Sequence, residues 1–448
     1  MKNRMRFTLE CIAAMRQNVG PNFPILVKFT PYHGVEGFRE LAEGLEMAKI
    51  LNEADIDALH VDVGCYEAWY KAITTVYENE AHQLDVVAAV KKIVDKPVLG
   101  QGKLCDPKKA EAAIAEGKTD YVVLGHQMLA DPHWANKIKA NQTEDIIPCI
   151  GCNECLLSGF SGKHYYCAVN PLTYAEDDYA LPPKTSEIKK VLVIGGGPGG
   201  MSAAIAAAQR GFKVDLWEKS DKLGGNLWAA GLPTFKHDVL NLIRYMETQI
   251  NKSDIQVSLN KAATKENINA ADYDKIILAA GSKALMPPIE GIEYAAASGD
   301  YLTGLKKPGQ KVVVIGGGLV GCETAAYMKE TAAEVTIVEM LDDILKIADH
   351  CLNNDQALRD LLKERQVGVI GGAKVTKITA DALTYVKDGQ EQTISCDTII
   401  IAAGYQANNE LEDYLESVCD NVTVVGDAEA PRKILDAVHE AYHAIRVM

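Results

Sequence analysis

The sequence predicts an α/β protein in which four β-then-α units, compatible with half of a (β/α)₈ barrel, precede two Rossmann-like folds. Three features predict this architecture. Short β-branched runs alternate with helical stretches over about the first 140 residues. Four cysteines then fall within residues 149–167. Beyond Ile188, one glycine-rich segment occurs twice, 121 residues apart.

The composition of the chain excludes several classes of function. Its 448 residues are 48% apolar and 24% charged, which is ordinary for globular domains. A net charge of −15 without basic blocks argues against nucleic-acid binding. No apolar run is long enough for a membrane span and no secretory signal is evident, so we expect a cytoplasmic protein without membrane association. The 11 cysteines are therefore expected to be reduced, with some acting as ligands.

The first predicted domain, residues 1–140, contains four strands that alternate with helices. Strands connected in this way run parallel in one sheet. The predicted strands are FPILVKF (23–29), DALHVDVG (57–64), KPVLGQG (96–102) and DYVVLG (120–125). Such a sheet could stand alone or form part of a larger one, and the spacing is compatible with half of a (β/α)₈ barrel.

The duplicated segment has the pattern of a dinucleotide-binding loop. KVLVIGGGPGG (190–200) recurs as KVVVIGGGLVG (311–321), and Glu218 recurs as Glu339. In such a loop the first glycine makes a tight turn, the second admits a pyrophosphate, and the third packs helix on strand. The acid accepts hydrogen bonds from a ribose. The alternative is a plain glycine turn, which two copies with their acids disfavour.

Two dinucleotide sites on one chain suggest that a flavin and a nicotinamide exchange hydride. With DKLGGNL (221–227) and VTVVGDAEAP (422–431), the chain resembles the two-dinucleotide flavoprotein reductases. The resemblance implies that an NAD(H)-binding domain, residues 301–394, is inserted in an FAD-binding domain, residues 188–300 and 395–448. The implied FAD residues are Gly195, Gly197, Gly200, Glu218, Gly225, Asn226, Gly426 and Asp427. The implied NADH residues are Gly316, Gly318, Gly321 and Glu339. Gly281 and Gly404, in the repeated IILAAGS and IIIAAGY segments, are further candidates for cofactor binding.

Glu339 also predicts which nicotinamide cofactor binds. A carboxylate beside the ribose would repel a 2′-phosphate, and NADP sites place Arg there. No Arg follows closely in MLDDIL (340–345), so we expect NADH to be preferred over NADPH. The alternative is an exposed glutamate at a strand end that has no ligand.

The cysteine segment, residues 141–187, has the spacing C-x₂-C-x₂-C-x₁₁-C. Structural zinc is usually held by two separated C-x₂-C pairs, whereas three ligands within seven residues and a distant fourth suit an iron–sulfur cube. Zinc and unliganded thiols remain alternatives, although adjacent free thiols would be prone to oxidation. The predicted ligands of a 4Fe-4S cluster are Cys149, Cys152, Cys155 and Cys167.

The motifs CIGCNEC (149–155) and CAVNP (167–171), followed by twin nucleotide folds, resemble one family closely. These are the NADH:flavin oxidoreductases related to 2,4-dienoyl-CoA reductase, which include enoate, bile-acid and steroid enone reductases and trimethylamine dehydrogenase. The resemblance implies that the cluster connects two flavins. It also implies that the N-terminal region is part of an FMN barrel. NRMRF (3–7) resembles the middle of that barrel, so we expect the C-terminal, FMN-phosphate half from an N-terminally truncated chain.

The resemblance also suggests residues for FMN. Barrel enzymes commonly bind phosphate with the loops after strands seven and eight, and the backbone amides expected there belong to Gly102, Lys103, Gly125 and His126. The family usually has Arg where His126 stands. Lys28 falls where the family places a cation against the flavin, and its alternative is a solvated strand-end lysine.

No catalytic acid is assigned, because the family takes it mainly from the other half of the barrel. Cys65 and Tyr66 follow the second strand, where substrate contact is conceivable and a plain loop role is favoured. We expect His60 to be an interior histidine rather than a metal ligand.

Two functions from different classes follow. The first is an enone reductase passing electrons from NADH through FAD, the cluster and FMN to an unsaturated carbonyl compound such as a dienoyl-CoA, an enoate or a steroid enone. The second is a diaphorase-like electron-transfer module or fragment, whose half-barrel a partner chain or a second copy completes. Oxidative amine demethylation is a minor third reading, because that branch does not rely on NADH.

Overall fold

The computed structural model describes residues 1–184 and 186–448, which form two compact units. The first unit comprises Met1–Met128, Pro132–Thr143 and Leu352–Ala357. The second comprises Leu129–Asp131, Glu144–Cys351 and Leu358–Met448. In the described part of the chain, no helix combines the length and the hydropathy that crossing a bilayer requires.

The first unit is built on a four-stranded parallel sheet in the order β1-β2-β3-β4. The strands are β1 (Leu26–Tyr32), β2 (Ala58–Val63), β3 (Val98–Gly100) and β4 (Tyr121–Val122). The helices are α1 (Lys2–Val19), α2 (Leu41–Asn52), α3 (Trp69–Ala72), α4 (Leu84–Lys91), α5 (Pro107–Ala115), α6 (His126–Ala130) and α7 (Trp134–Lys139). This sheet confirms the four predicted β-then-α units.

The core of the first unit lies between the sheet and its helices. Leu59 and Val61 of β2 are fully buried, as is Val98 of β3. Val87 and Val90 of α4 are three residues apart and so lie on one helix face, which packs against these strands. Burial is concentrated in β2 and β3, whereas the outer strands β1 and β4 have exposed residues such as Leu26 and Tyr121.

The second unit begins with the cysteine segment and continues into two similar parallel sheets. Its strands through the first sheet are β5 (Lys190–Ile194), β6 (Lys213–Trp217), β7 (Gln256–Ser258), β8 (Lys275–Leu278) and β9 (Ser282–Ala284). The remaining strands are β10 (Ala296–Ala297), β11 (Lys311–Ile315), β12 (Glu334–Val338), β13 (Gly368–Ile370), β14 (Ala373–Ile378), β15 (Ala382–Lys387), β16 (Gln390–Ser395), β17 (Thr398–Ile401), β18 (Tyr405–Ala407) and β19 (Val422–Val424).

The helices of the second unit cover the two sheets. They are α8 (Glu154–Phe160), α9 (Glu176–Tyr179), α10 (Pro198–Gln209), α11 (Leu227–Gly231), α12 (His237–Asn251), α13 (Ser298–Leu302), α14 (Leu319–Met328), α15 (Leu352–Glu364), α16 (Glu412–Val418) and α17 (Ile434–Arg446). Helix α15 begins in the segment that belongs to the first unit.

Both parallel sheets have the strand order of a Rossmann-like fold. The first runs β7-β6-β5-β8-β19, and the second runs β13-β12-β11-β17-β10. In each sheet the strand before the glycine loop, β5 or β11, lies at the centre, where the strand order reverses. The twin dinucleotide folds expected from the duplicated glycine segment are therefore present.

One domain boundary differs from the prediction. Strand β17 was expected in the FAD-type domain, within residues 395–448, but it pairs in parallel with β11 of the second sheet. Strand β10 pairs with β17, so that sheet takes its strands from Ala296 to Ile401 rather than from residues 301–394. The reason is that β17 is the second-fold counterpart of β8, which lies beside β5 in the first fold.

Candidate functional site

The first glycine loop connects β5 to α10. Gly195 has a φ of +108°, and a Cβ added there would lie 2.2 Å from the carbonyl oxygen of Ala279. A Cβ at Gly200 would lie 1.8 Å from the carbonyl oxygen of Gly195, so α10 packs on the loop at a distance that only glycine permits. A Cβ at Gly197 would meet no atom within 4 Å. This open space fits the approach of a pyrophosphate to the backbone.

The carboxylate of Glu218 is fixed beside this loop. Its Oε2 accepts a hydrogen bond from the Gly196 amide at 2.7 Å. Its Oε1 accepts from the Ser220 amide at 2.8 Å and from the Ser220 hydroxyl at 2.7 Å. Each carboxylate has about four lone-pair sites, so Glu218 retains capacity to accept from a ribose hydroxyl.

The second glycine loop, between β11 and α14, repeats this geometry. Gly316 has a φ of +109°, and a Cβ at Gly321 would lie 1.9 Å from the Gly316 carbonyl oxygen. A Cβ at Gly318 would again meet no atom within 4 Å. Glu339 accepts from the amide of Gly317 at 2.5 Å and from that of Leu341 at 2.7 Å. The duplication therefore extends to the hydrogen bonds of the two acids.

The other residues predicted for FAD lie close to the first loop. A Cβ at Gly225 would lie 3.1 Å from the Cα of Gly197. The Asn226 amide group lies 3.5 Å from the hydroxyl of Ser282, which donates to Asp427 at 2.7 Å. Three segments far apart in the sequence therefore meet at one edge of the first sheet, beside the open glycine. This arrangement fits an elongated dinucleotide.

Gly281 and Gly404 mark the crossings between the two Rossmann-like folds. Their φ values are +75° and +104°, and a Cβ at either would meet no atom within 4 Å. The antiparallel pair β9–β18 follows directly, with the Leu285 amide donating to the Gly404 carbonyl at 2.9 Å. Gly404 therefore lies at the connection between the folds.

Sequence reasoning missed an ion pair between the two folds. Lys236 precedes α12, and its ammonium lies 2.6 Å from Glu323 Oε2 on α14. The two side chains are only 11% and 15% exposed. The only sequence signal is that Glu323 stands two residues after Gly321, and nothing local identifies its partner.

The cysteine segment turns sharply between its first three cysteines. Gly151 and Asn153 both have left-handed backbone, with φ of 64° and 59°. Cys149 and Cys152 pack against the core that α10 and α17 share with the first sheet, and Cys167 belongs to that core. The segment is therefore attached to the first Rossmann-like fold.

Three of the thiols lie within electrostatic reach of one another, with Cys167 buried and with Cys152 and Cys155 partly buried. Burial raises the pKa of Cys152, and the nearby Cys167 and Cys155 raise it further. Burial, with Cys167 alongside, raises the pKa of Cys155 to about 12. Burial likewise raises the pKa of Cys167. Neutral thiols are therefore favoured in the bare protein, and a cationic group among them would favour the thiolates.

Backbone amides also point at these sulfurs and partly offset the effect of burial. The amide of Glu154 hydrogen-bonds to Cys152, and the amides of Val169 and Asn170 do so to Cys167. Hydrogen bonds to sulfur are among the means by which proteins tune iron–sulfur clusters.

The donor set bears on the kind of group that the cysteine segment could hold. Within residues 1–184 and 186–448, no three Cys, His, Asp or Glu side chains are grouped tightly enough for one metal ion. Four cysteine thiolates are the ligands that an iron–sulfur cluster takes, and backbone amides donate to the sulfurs of Cys152 and Cys167. By the chemistry of their donors, the four cysteines fit such a cluster.

Near the carboxyl ends of its strands, the first unit has a chain of polar contacts. The Lys28 ammonium lies 2.8 Å from Asp62 Oδ2. The Gln101 side chain donates to Asp62 Oδ1 at 2.5 Å, and its carbonyl lies 2.7 Å from His60 Nε2. Burial lowers the pKa of His60, and a neutral ring donates to Gln101 in this arrangement. Sequence reasoning selected Lys28 but missed Asp62 and Gln101.

The loops predicted to bind a flavin phosphate lie beside this chain of contacts. Gly102 has a φ of +102°, and a Cβ there would lie 2.6 Å from the Gln83 side chain. The Lys103 ammonium donates to the Glu78 carbonyl at 2.6 Å, so only its amide remains a candidate for phosphate. A Cβ at Gly125 would meet no atom within 4 Å, and α6 begins at the next residue, His126.

The two residues after β2 do not form a recognisable catalytic arrangement. Cys65 pairs with Ala68 in an isolated β-bridge, and the Tyr66 side chain is 82% exposed. The plain loop role expected for them stays a prediction.

Comparison with known families assigns both regions of the chain. Residues 1–145 match the NADH:flavin oxidoreductase / NADH oxidase family. Residues 189–441 match the pyridine nucleotide-disulphide oxidoreductase family. The second match covers more than half of the chain and contains both glycine loops.

Individual relatives match nearly the whole of this chain. Cinnamate reductase of Clostridium sporogenes is 36% identical over 464 residues, covering 100% of this chain and 69% of that protein. NADH oxidase of Thermoanaerobacter brockii is 36% identical, covering 98% of this chain and 69% of its own length. The structure of 2-naphthoyl-CoA reductase in complex with 2-naphthoyl-CoA matches with a TM-score of 0.91 at 32% identity, covering 98% of this chain and 68% of that one.

These matches extend over both units and agree with the glycine loops, the cysteine spacing and the parallel sheets. The protein is therefore an NADH-dependent oxidoreductase that belongs to the NADH:flavin oxidoreductase family related to 2,4-dienoyl-CoA reductase.

Proposed function

We propose that this chain uses NADH to reduce the C=C bond of an α,β-unsaturated carbonyl compound, with electrons passing from FAD through a 4Fe-4S cluster to FMN. The observation that carries the proposal is the attachment of the cysteine segment to the FAD-type fold, where Ile150 and Cys167 share a core with α10. When bound, such a cluster carries electrons one at a time between two-electron carriers. An enoate or an enoyl-thioester is the favoured substrate, because relatives are named for reducing cinnamate and 2-naphthoyl-CoA.

In this proposal the two glycine loops hold the two dinucleotides. Gly195, Gly197 and Gly200 place the FAD pyrophosphate at the start of α10, and Glu218 accepts from its ribose. Gly225, Asn226, Gly281, Gly426 and Asp427 complete that site. Gly316, Gly318, Gly321, Glu339 and Gly404 hold NADH in the same way. Support comes from the open space at Gly197 and Gly318 and from the fixed carboxylates.

Cys149, Cys152, Cys155 and Cys167 would ligate the cluster, with backbone amides donating to the sulfurs. In the first unit, Asp62 would hold the Lys28 side chain in place, and Lys28 would contact the FMN ring. The amides of Gly102, Lys103, Gly125 and His126 would face its phosphate. The ion pair of Lys28 and the open space at Gly125 support this arrangement.

The cluster is tested by metal analysis of anaerobically purified protein. We expect about four iron and four sulfide per chain, with a reducible paramagnetic centre. Cys152→Ser should lose most of this iron, while Cys419→Ser should keep it, since Cys419 lies outside the cysteine segment. Bound zinc, or wild-type protein without iron, would remove the cluster from the proposal.

The substrate class is tested by anaerobic turnover with NADH. Cinnamate and an enoyl-thioester are compared with their saturated analogues, and the product is identified by mass. Consumption of NADH with addition of two hydrogens to the double bond is expected. NADH oxidation that occurs only with oxygen as acceptor contradicts the ene-reductase assignment.

A second candidate function is favoured by the sheet of the first unit. Its outer strands β1 and β4 are edges on which Leu26 and Tyr121 are exposed. A sheet of this kind suits a chain that passes electrons from NADH to a partner chain or a second copy that pairs with it. Flavin analysis separates the two functions: FAD and iron without FMN supports the electron-transfer module, and stoichiometric FMN supports the reductase.

A further inference from the structure

A lysine from the C-terminal region contacts the cysteine segment between two of its cysteines. The Lys433 ammonium lies 3.0 Å from Glu154 Oε1 and 3.1 Å from Glu154 Oε2. It also lies 2.8 Å from Asp349 Oδ2. Glu154 stands between Cys152 and Cys155, and its side chain is only 8% exposed. A carboxylate so deeply buried needs a cation as its partner.

Helix α17, which Lys433 precedes, contacts the cysteine segment at a second place as well. Lys433 is the N-cap residue of α17, and its side chain pairs with Glu154, which stands between Cys152 and Cys155. Two turns further along, His439 Nε2 lies 2.8 Å from the carbonyl oxygen of Cys167. Helix α17 and its N-cap residue therefore contact the cysteine segment at two places, at Glu154 and at Cys167.

Helix α17 also contacts the segment predicted to bind FAD. Glu440 accepts from the Gly426 amide at 2.8 Å, and its other oxygen accepts from Arg432 at 2.5 Å. Gly426 and Asp427 are adjacent residues of the FAD-type site. One rigid element thus positions the flavin-binding and cysteine segments together, with Lys433 on the side of the cysteines.

We propose that Lys433 sets the reduction potential of the group held by the four cysteines. This inference rests on the proposed four-iron cluster. Reduction adds one negative charge to a site that already contains thiolates. A nearby cation stabilises that charge in a low-dielectric environment, whereas carboxylates oppose it. Lys433 pairs with two carboxylates, those of Glu154 and Asp349. Removing the positive charge of Lys433 should lower the reduction potential, and removing a negative charge should raise it.

The experiment is an anaerobic redox titration of the full chain followed by paramagnetic resonance. Lys433→Met should shift the midpoint potential to a more negative value. The equilibrium constant for reduction should fall by up to about tenfold, which is about 59 mV for one electron. Asp349→Asn should shift it in the opposite direction by less, because that side chain is 80% exposed. Lys433→Arg should stay near the wild-type value. Lys377→Met, which removes the same charge from an exposed pair with Glu290, should leave the potential unchanged.

The outcomes separate an electrostatic role from a structural one. Shifts of opposite sign in Lys433→Met and Asp349→Asn support the proposal, because simple loosening of the loop would not change sign with charge. Equal potentials in all variants, or shifts of the same sign, overturn it. If Lys433→Met loses iron, Asp349→Asn and Lys433→Arg decide alone. If the wild-type protein lacks the paramagnetic signal, the proposed cluster is wrong and this inference falls with it; a wild-type signal with no shift overturns the role of Lys433 only.

Discussion

The two acids proposed to bind ribose, Glu218 and Glu339, are each held in place by backbone hydrogen bonds. In both, one carboxylate oxygen accepts from a glycine-loop amide and the other from the backbone two residues after the acid. This arrangement fixes a negative charge beside the loop without side-chain reorganisation on binding. The cost of ordering these carboxylates is therefore met in folding rather than in binding.

Replacing Glu339 by Gln should weaken the discrimination between nicotinamide cofactors. The wild-type chain should prefer NADH in kcat/KM, since a carboxylate repels a 2′-phosphate. Loss of one charged acceptor is worth about 1.5–3 kcal/mol, so the NADH/NADPH ratio should fall by roughly tenfold or more. Glu218→Gln is the matched control: it should bind FAD more weakly, and with FAD supplied in excess its NADH/NADPH ratio should equal that of the wild type. A wild-type preference for NADPH, or an unchanged ratio in Glu339→Gln, contradicts this assignment.

At the scale of elements, each glycine loop contains two kinds of glycine. Gly200 and Gly321 have no room for a Cβ, because the loop carbonyl lies within 2 Å of its position. Gly197 and Gly318 have ordinary extended backbone and empty space beside them. The first kind is required by helix–strand packing, whereas the packing of the chain leaves room for a side chain at the second kind, as the proposed dinucleotide sites predict.

Four alanine variants should separate these roles. Gly197→Ala should fold normally and release FAD, while Gly318→Ala should keep FAD and raise KM for NADH. Gly200→Ala and Gly321→Ala should each lose about 1–3 kcal/mol of stability or more through overpacking. Thermal unfolding and flavin content measure the two effects. Equal destabilisation by Gly197→Ala and Gly200→Ala would show that the space beside Gly197 is not free.

The sequence could predict most of this element-level structure. Glycine spacing, a buried strand before each loop and an alanine-rich helix after it depend on backbone sterics within about 20 residues. The position of β17 was predicted wrongly, although its repeat relation to β8 was visible. A local sequence pattern does not predict the pairing of two strands that are 86 residues apart. Only the equivalence of the two folds predicts that β17 pairs with β11 as β8 pairs with β5.

At the scale of the whole molecule, the two Rossmann-like folds are joined by a short segment before α12. Thr234 donates to Glu330, the Arg365 guanidinium lies 5.0 Å from the ring centre of Phe235, and Lys236 pairs with Glu323. Glu323 and Glu330 lie on or just after α14 of the second fold, and Arg365 follows α15. Three consecutive residues of the first fold thus contact the second.

Breaking the buried pair should loosen the second fold. Lys236→Met leaves Glu323 buried without its cation and should cost about 3–5 kcal/mol, whereas adding Glu323→Gln should recover part of that loss. Hydrogen exchange at the amides of α14 measures the free energy of opening. Lys283→Met, from an exposed pair with Glu410, should cost no more than about 1 kcal/mol. If Lys236→Met and Lys283→Met lowered the free energy of opening equally, the buried pair would stabilise the fold no more than the exposed pair does.

The sequence by itself determined the α/β class, the paired glycine loops with their acids, and the four grouped cysteines. Each is a local pattern whose physical cause, a backbone conformation or a run of donors, lies within a few neighbouring residues. Only the tertiary structure decided that Asp62 and Gln101 surround Lys28, that β17 joins the second sheet, and that Lys433 meets Glu154 across 279 positions. Such contacts depend on how whole elements pack. The sequence around a charged residue does not identify a partner that lies far away in the chain and comes close only on folding.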